Sequence, residues 1–190
     1  MTGRERVKRT MHFLPVDCVP VQFYYAPVGY YEHGEKLNDL YATLEGDFAP
    51  FKRMPLPKPA AEDFDHTGRY HAFHRDEWGT RWEYRIFGVT GIPADYPLAD
   101  LNKLDNYTFP AVPSLTGPKF DAACRQIALH QEKYYSLHPA GSLFERLIAL
   151  RPEADVLCDM ALGEPKINQL ADRIIEHQAH QIQFATWLSC

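Results

Sequence analysis

The sequence predicts an α/β fold, and three observations lead to this prediction. Residues 18–24 and 133–137 are β-rich runs, each typical of a buried strand. Residues 71–87 are rich in aromatic side chains and alternate in places, which indicates a β-hairpin or an extended arm. From Pro165 onward, apolar residues recur at nearly helical spacing, so this segment is expected to form the longest helix.

The other elements follow from the same rules in chain order. Pro20 indicates that the first strand is an edge strand or has just begun, because proline cannot donate a backbone hydrogen bond. Residues 26–34 are expected to form a loop, and residues 50–59, with four prolines, an extended connector. Helical segments are expected at 3–13, 35–44, 97–104, 121–130, 142–150 and 154–162.

Composition narrows the class of protein. A chain of 190 residues favours one domain, and a net charge of -5 gives no electrostatic reason to expect nucleic acid. No apolar run approaches the roughly 20 residues of a membrane span, and the N-terminus lacks an apolar signal core, so a cytoplasmic protein is expected. Four scattered cysteines, without a Cys-x-x-Cys pair, indicate reduced thiols.

Short stretches spread along the chain together resemble one superfamily. They are TGRERV at 2–7, VDCVPV at 16–21, DEWGTRWE at 76–83, YPLADL at 96–101, LDNY at 104–107 and SLFER at 142–146, followed by LR at 150–151. In this order they are similar to the uroporphyrinogen-decarboxylase superfamily, and particularly to its methyltransferase-like branch. Each stretch alone is weak, whereas the ordered set is specific for the superfamily but not for one reaction.

The resemblance implies a barrel fold, of which this chain would contain only a part. Members of the superfamily are (β/α)8 barrels of about twice this length, and such barrels generally need about 250 residues. Residues 1–190 would then be the N-terminal part of a TIM-like barrel, a truncated or split product whose third strand would follow the last helix. The alternative is a small, complete α+β domain.

The resemblance also implies which residues would bind a flat macrocyclic ligand. Asp76 matches the aspartate that hydrogen-bonds pyrrole N–H groups in the decarboxylase and is the candidate catalytic residue; the alternative is a carboxylate that organises a turn. Residues 23–30, including Tyr25, match the loop that carries substrate-binding arginines there, but contain no Arg or Lys. This departure argues against true uroporphyrinogen decarboxylation. Trp78 and Trp82 either line the macrocycle site or pack in the hairpin.

Two further residues are substrate-binding candidates. His138 lies in a turn at 138–141, after the second predicted strand, where barrel enzymes place functional groups; otherwise it is a solvated loop histidine. Arg146 matches a position near a substrate-facing tyrosine, and its alternative is a surface ion pair with Glu145 or Asp159.

No metal or cofactor is predicted in this chain. The histidine pairs at 71 and 74 and at 177 and 180 are spaced by three residues. His177 and His180 lie on the polar side of the predicted last helix, so solvated side chains are expected there, and His71 and His74 lack a third ligand. In the methyltransferase branch, zinc is held by the C-terminal half, so zinc and corrinoid would belong to a full-length parent.

These observations predict a corrinoid- or tetrapyrrole-linked methyltransferase or decarboxylase family, of which this chain alone would have little activity. The alternatives are a non-catalytic tetrapyrrole- or corrinoid-binding module and an incomplete gene product without an independent role. The expected partner is a tetrapyrrole or corrinoid-type small molecule, with no nucleic acid and no membrane. A homo-oligomer and a complementing C-terminal half both remain open.

Overall fold

Helices make up most of the regular structure in the computed structural model, which describes residues 1–138 and 141–188. The described chain is a mixed α/β protein. Its α-helices are α1 (Gly3–Met11), α2 (Pro27–His33), α3 (Glu35–Ala42), α4 (Pro118–Gln131), α5 (Leu143–Leu150), α6 (Glu153–Leu162) and α7 (Pro165–Leu188). Short 3-10 helices lie at Ala61–Asp63 and Leu101–Asn106. No helix in this part of the chain is both long and apolar enough to cross a membrane.

One small antiparallel sheet contains the strands of the described residues. Its strands are β1 (Ala72–Arg75), β2 (Arg81–Tyr84) and β3 (Ile92–Asp95), in the order β1-β2-β3. The predicted hairpin is therefore confirmed, with Ala72 opposite Tyr84 and Arg75 opposite Arg81. The third strand was not predicted from the sequence. It contains Pro93, which an edge strand tolerates, and its register with β2 shifts between Arg81 and Trp82. The sheet is open, and the described residues form no barrel.

Two predicted strands and one predicted loop are wrong. Residues 18–24 and 133–137 are not in a strand, and residues 26–34 contain helix α2 instead of a loop. Hydrogen bonding explains the first error: the N–H of Val21 donates to Oδ2 of Asp47 at 2.7 Å, and its carbonyl accepts from the N–H of Asp47 at 3.0 Å. β-propensity reports how well a side chain fits an extended surface, and that surface need not belong to a ladder.

The predicted helices are largely confirmed, and their ends have ordinary causes. Oγ1 of Thr2 accepts from the N–H of Glu5 at the start of α1, and Ser142 caps α5 through the N–H of Glu145. Gly163 ends α6 in the left-handed conformation, at φ 68°. The turn expected at 97–104 lies slightly later, as the 3-10 helix Leu101–Asn106, and the proline-rich residues 50–59 form no helix or strand.

The main core joins the hairpin to the C-terminal helices. Its buried members come from the hairpin turn, the segment around the second 3-10 helix, and helices α5, α6 and α7: Trp78, Leu98, Leu101, Leu104, Leu147, Leu150, Val156, Ile167, Leu170 and Ile174. A buried hydrogen bond from Oγ1 of Thr80 to the carbonyl of Ala149, 2.8 Å long, ties the hairpin to α5. This core fixes the hairpin turn relative to α5 and α7.

A second anchor lies at the N-terminal end. Arg6 pairs with both Asp17 and Asp47, and Asp47 is 3% exposed. The carbonyl of Asp47 accepts from the N–H of Tyr135 at 2.9 Å, while its N–H and carboxylate hold Val21. One buried aspartate therefore brings three distant segments of the chain together.

Candidate functional site

The five candidate residues fall into two groups. Tyr25 and His138 line one cavity. Asp76 and Trp78 lie in the hairpin turn, where Arg146 of α5 reaches them. The structure therefore brings together two candidates in one place and three in another, instead of all five around one ligand.

The cavity that Tyr25 and His138 line has a volume of about 820 Å³ and is rich in aromatic side chains. Its walls are residues 21–25 and 46–52, helix α4, and residues 136–138. Asp47 ties the first of these segments to Tyr135, beside the last, through backbone hydrogen bonds. Seven aromatic side chains line it: Phe23, Tyr24, Tyr25, Tyr30, Tyr41, Phe48 and Phe51. We call it the aromatic cavity.

Contacts between the rings order part of this wall. The rings of Tyr25 and Tyr30 lie 4.9 Å apart, and those of Phe23 and Tyr41 lie 5.6 Å apart. Tyr30 is 2% exposed, and this burial raises the pKa of its phenol, so it stays neutral at physiological pH. A neutral, packed tyrosine supports the half-exposed ring of Tyr25, which is 43% exposed toward the space that a ligand would occupy.

A few polar groups interrupt the aromatic wall. Lys52, Gln126, His130, Ser136 and His138 line the cavity. The hydroxyl oxygen of Ser136 is buried and has no hydrogen-bond partner among the described residues. Aromatic walls with a few polar groups are typical of small-molecule sites.

Asp76 organises the hairpin turn. Oδ1 accepts from the N–H groups of Trp78 and Thr80, at 3.0 and 2.9 Å, and Oδ2 accepts from Nε1 of Trp82 at 2.9 Å. Both carboxylate oxygens therefore have donors within the hairpin, as expected for an aspartate that mimics a backbone turn. Its predicted catalytic role stays a prediction, and the contacts describe the structural alternative.

Trp78, a core residue, meets the half-buried Arg146. The ring of Trp78 is 5% exposed, and the guanidinium carbon of Arg146 lies 4.2 Å from its centre. The expected ion pair with Asp159 is formed by Arg151 instead, at 2.6 Å. The other face of the cluster holds His177, whose ring lies 4.7 Å from that of Trp78.

His177 corrects another expectation. It is 6% exposed, not solvated, and Nε2 lies 3.2 Å from the carbonyl of Pro110. His180 is exposed, so the two histidines do not act as a pair. Among the described residues, no group of three His, Cys, Asp or Glu side chains could hold a metal ion. Cys18, Cys124 and Cys158 are free thiols, and Cys190 lies outside the described residues, as do Pro139 and Ala140 of the predicted turn.

Tyr107, next to Trp78, has a strongly raised pKa. Its hydroxyl donates to the carbonyl of Trp78 at 2.6 Å. Burial, with a smaller contribution from the charge of Asp76, raises the pKa of Tyr107 to about 12. The phenol is therefore neutral at physiological pH and serves to hold the turn.

Sequence reasoning missed most of the aromatic cavity. Residues 46–52 and helix α4 contribute walls to it, although neither carries a recognisable motif. Tertiary contacts place these walls, among them the hydrogen bonds of Asp47 to Val21 and Tyr135, and a lone aspartate between Gly46 and Phe48 gives no signal of that role.

Comparison with known proteins found no matching family model, no similar curated protein and no similar solved structure.

Proposed function

We propose that this chain is a uroporphyrinogen-decarboxylase-like protein that binds a tetrapyrrole- or corrinoid-type macrocycle in the aromatic cavity and has little catalytic activity alone. The observation that carries the proposal is the cavity of about 820 Å³ with seven aromatic side chains. Its volume lies in the range of roughly 300–1,000 Å³ that is usual for small-molecule sites. Aromatic rings offer large apolar surfaces for stacking against a flat, multi-ring ligand.

The charges around the cavity favour binding over decarboxylation. Within the described residues, no Asp or Glu lines the aromatic cavity, whereas decarboxylation of a porphyrinogen requires a carboxylate beneath the pyrrole N–H groups. Asp76, the candidate for that role, belongs to the other group of residues and is hydrogen-bonded within its own hairpin. Lys52 supplies a positive charge suited to a ligand carboxylate.

The proposal includes the finer fold implied by the resemblance, the N-terminal part of a (β/α)8 barrel. Its support is the arrangement of the two runs predicted as strands. Asp47 joins the backbones of both runs, since its N–H donates to the carbonyl of Val21 and its carbonyl accepts from the N–H of Tyr135. Val21 borders the cavity, as does Ser136, the residue after Tyr135. A complementing chain that supplies the remaining strands would pair with these segments and add the groups needed for methyl transfer or decarboxylation. Zinc has no part in this proposal, since the described residues offer no set of ligands for it.

Visible absorbance tests the proposal directly. Hydroxocobalamin and coproporphyrin are titrated with the full chain, and saturable shifts of their visible bands are expected. Tyr25→Ala should weaken binding roughly ten-fold, because losing an aromatic contact costs about 1–1.5 kcal/mol. Phe73→Ala is the matched control, since Phe73 is 40% exposed, close to the 43% of Tyr25, and lies outside the cavity. No shift with either ligand at saturating concentration would refute the proposal.

A further inference from the structure

A second, smaller cavity lies beside helix α2, on the other side of the aromatic cavity's wall. Tyr30 lines the aromatic cavity, and the next residue, Tyr31, lines the smaller one. The smaller cavity has a volume of about 210 Å³, below the usual range of roughly 300–1,000 Å³ for drug-sized ligands. Its four aromatic side chains are Tyr31, Phe64, Tyr70 and Phe87, and we call this set the aromatic box.

The rings of the aromatic box meet at steep angles. Tyr31 and Phe87 are 5.0 Å apart with 66° between their planes, and Tyr70 and Phe87 are 5.5 Å apart with 76° between theirs. Phe64 and Tyr70 are 5.9 Å apart at 82°. Successive rings therefore form corners instead of a flat stack. Corners of this kind surround a compact, rounded group, whereas a flat ligand needs parallel walls.

The backbone holds these rings in place before any ligand arrives. Phe64 and Tyr70 form an isolated antiparallel bridge, closed by Asp65, whose Oδ1 accepts from the N–H groups of Thr67 and Arg69 at 2.8 and 3.0 Å. Gly88, at φ 74°, lets the loop after β2 approach α2 so closely that a Cβ atom there would collide with the backbone of Pro27. That approach brings Phe87 against Tyr31.

The charges at the box favour a cation. The carboxylate of Glu32 lines the cavity beside the rings. Arg85 also lines it, but its Nε lies 3.0 Å from Oε1 of Glu83, so its charge is balanced. In the part of the chain that the structure describes, the observed cation–π contacts involve Phe73, Trp78 and Phe109, and none involves these four rings. The negative faces of the box are thus without a protein cation.

We propose that the aromatic box binds a quaternary ammonium group, such as the trimethylammonium head of choline. Aromatic faces attract a cation through their quadrupole, and a rounded, weakly hydrated trimethylammonium head fits a small corner-walled site better than a lysine ammonium. The carboxylate of Glu32 adds long-range attraction. This site is separate from the aromatic cavity, and its test does not depend on macrocycle binding.

Calorimetric titration of the full chain with choline tests the assignment. The matched probe is dimethylbutanol, the neutral isostere in which carbon replaces the nitrogen. Choline should bind about ten-fold more tightly than the isostere, because the two compounds have the same shape but only choline carries the positive charge that the aromatic faces attract. A peptide bearing trimethyl-lysine is titrated in parallel, and tighter binding of the peptide would identify a protein-borne source of the same group.

Variants locate the site. Tyr31→Leu keeps an apolar side chain at this exposed position and removes the ring, and Glu32→Gln removes the charge; each should weaken choline binding several-fold. Phe73→Leu and Glu77→Gln are the controls, since both residues are exposed and lie outside the box. Circular dichroism confirms that each variant is folded, and Tyr70→Phe, which retains the ring, should bind as the parent does. Equal binding of choline and its isostere, no binding of choline at tens of millimolar, or no effect of Tyr31→Leu would each overturn the proposal.

Discussion

Replacing Asp76 with alanine should separate its structural role from its proposed catalytic one. The change removes both carboxylate oxygens and with them three hydrogen bonds, from the N–H groups of Trp78 and Thr80 and from the indole of Trp82. Trp78 is 5% exposed and Thr80 is fully buried, so water has little access to replace the two lost backbone partners. A donor left unsatisfied in such a place costs about 1–3 kcal/mol.

The magnitude follows from these three contacts. Taking about 1–1.5 kcal/mol for each backbone donor and less for the indole, Asp76→Ala should lower the free energy of unfolding by roughly 3 kcal/mol. For a chain of this length, each kcal/mol shifts the melting temperature by about 2–4 °C, so a decrease of roughly 6–12 °C is expected. Asp76→Asn should cost about 1 kcal/mol, since its amide oxygen still accepts from the backbone while its amide N–H₂ faces the indole N–H.

Thermal unfolding followed by near-ultraviolet circular dichroism measures these differences, because Trp78 and Trp82 report on the hairpin. Glu77→Ala is the control: Glu77 is the exposed neighbour, and a surface change of this kind is usually within about 0.5 kcal/mol of the parent. If Asp76→Ala melts at the same temperature as Glu77→Ala, the structural account of this aspartate is refuted. That result would favour the catalytic role of Asp76, because a carboxylate that serves only a ligand does not stabilise the free protein.

Three further predictions concern the other anchors. Asp47→Ala removes the buried partner of Arg6 and the anchor of Val21. It should lower the free energy of unfolding measured in urea by about 2–3 kcal/mol, a modest value for a broken buried pair because Arg6 keeps Asp17. The control Asp39→Ala, at an exposed pair with Arg53, should change this free energy little. Folding raises the pKa of Tyr107 from 10 to about 12, so the stability that this phenol contributes is complete below pH 10 and is lost as the pH rises toward 12. Tyr107→Phe should reduce the alkaline loss of stability in melts recorded from pH 9 to 12, while the part due to Tyr30, whose pKa is also raised, remains. An unchanged alkaline profile would contradict the assignment. Gly88→Ala should lower the free energy of unfolding clearly more than its control Gly68→Ala, for which roughly 1 kcal/mol is expected. Both glycines have positive φ, but a Cβ at Gly68 meets open space, whereas one at Gly88 meets α2. Equal melting temperatures of the two variants would contradict the close approach of α2.

Local patterns predicted the local elements well. The hairpin followed from alternation around Trp78 and Trp82, and the long helix from apolar spacing after Pro165, because periodicity reports which face of an element is buried. Helix α2 was missed because Pro27 and Gly29 suggested a loop, although proline at the first helical position favours a helix start. The strands expected at 18–24 and 133–137 failed for a different reason. A strand needs a hydrogen-bonding neighbour, and for Val21 that neighbour is the lone residue Asp47.

The candidate residues show the same division between local and tertiary information. The alternative role of Asp76, as a turn carboxylate, could be stated from the sequence because it depends on near neighbours. The core that buries Trp78 could not, because it comes from the distant helices α5, α6 and α7. The partner of Arg146 could not, since Trp78 is 68 positions away and competing carboxylates lay nearer in sequence. The same holds for His177, which the helical pattern placed on a polar face and the structure places against Trp78.

The separation of the candidate residues bears directly on what one ligand could touch. Trp78 lies in the core with the half-buried Arg146 over its ring, and exposing Trp78 would break the packing of the hairpin on α5 and α7. Tyr25 and His138, in contrast, line the aromatic cavity. If a macrocycle contacts Asp76 as well, the hairpin must open, and binding should then lower the protection of the Trp78 and Thr80 amides against hydrogen exchange. If the aromatic cavity alone is the site, those amides should keep their protection while Val21 and Tyr135 become more protected, because their segments form the cavity wall.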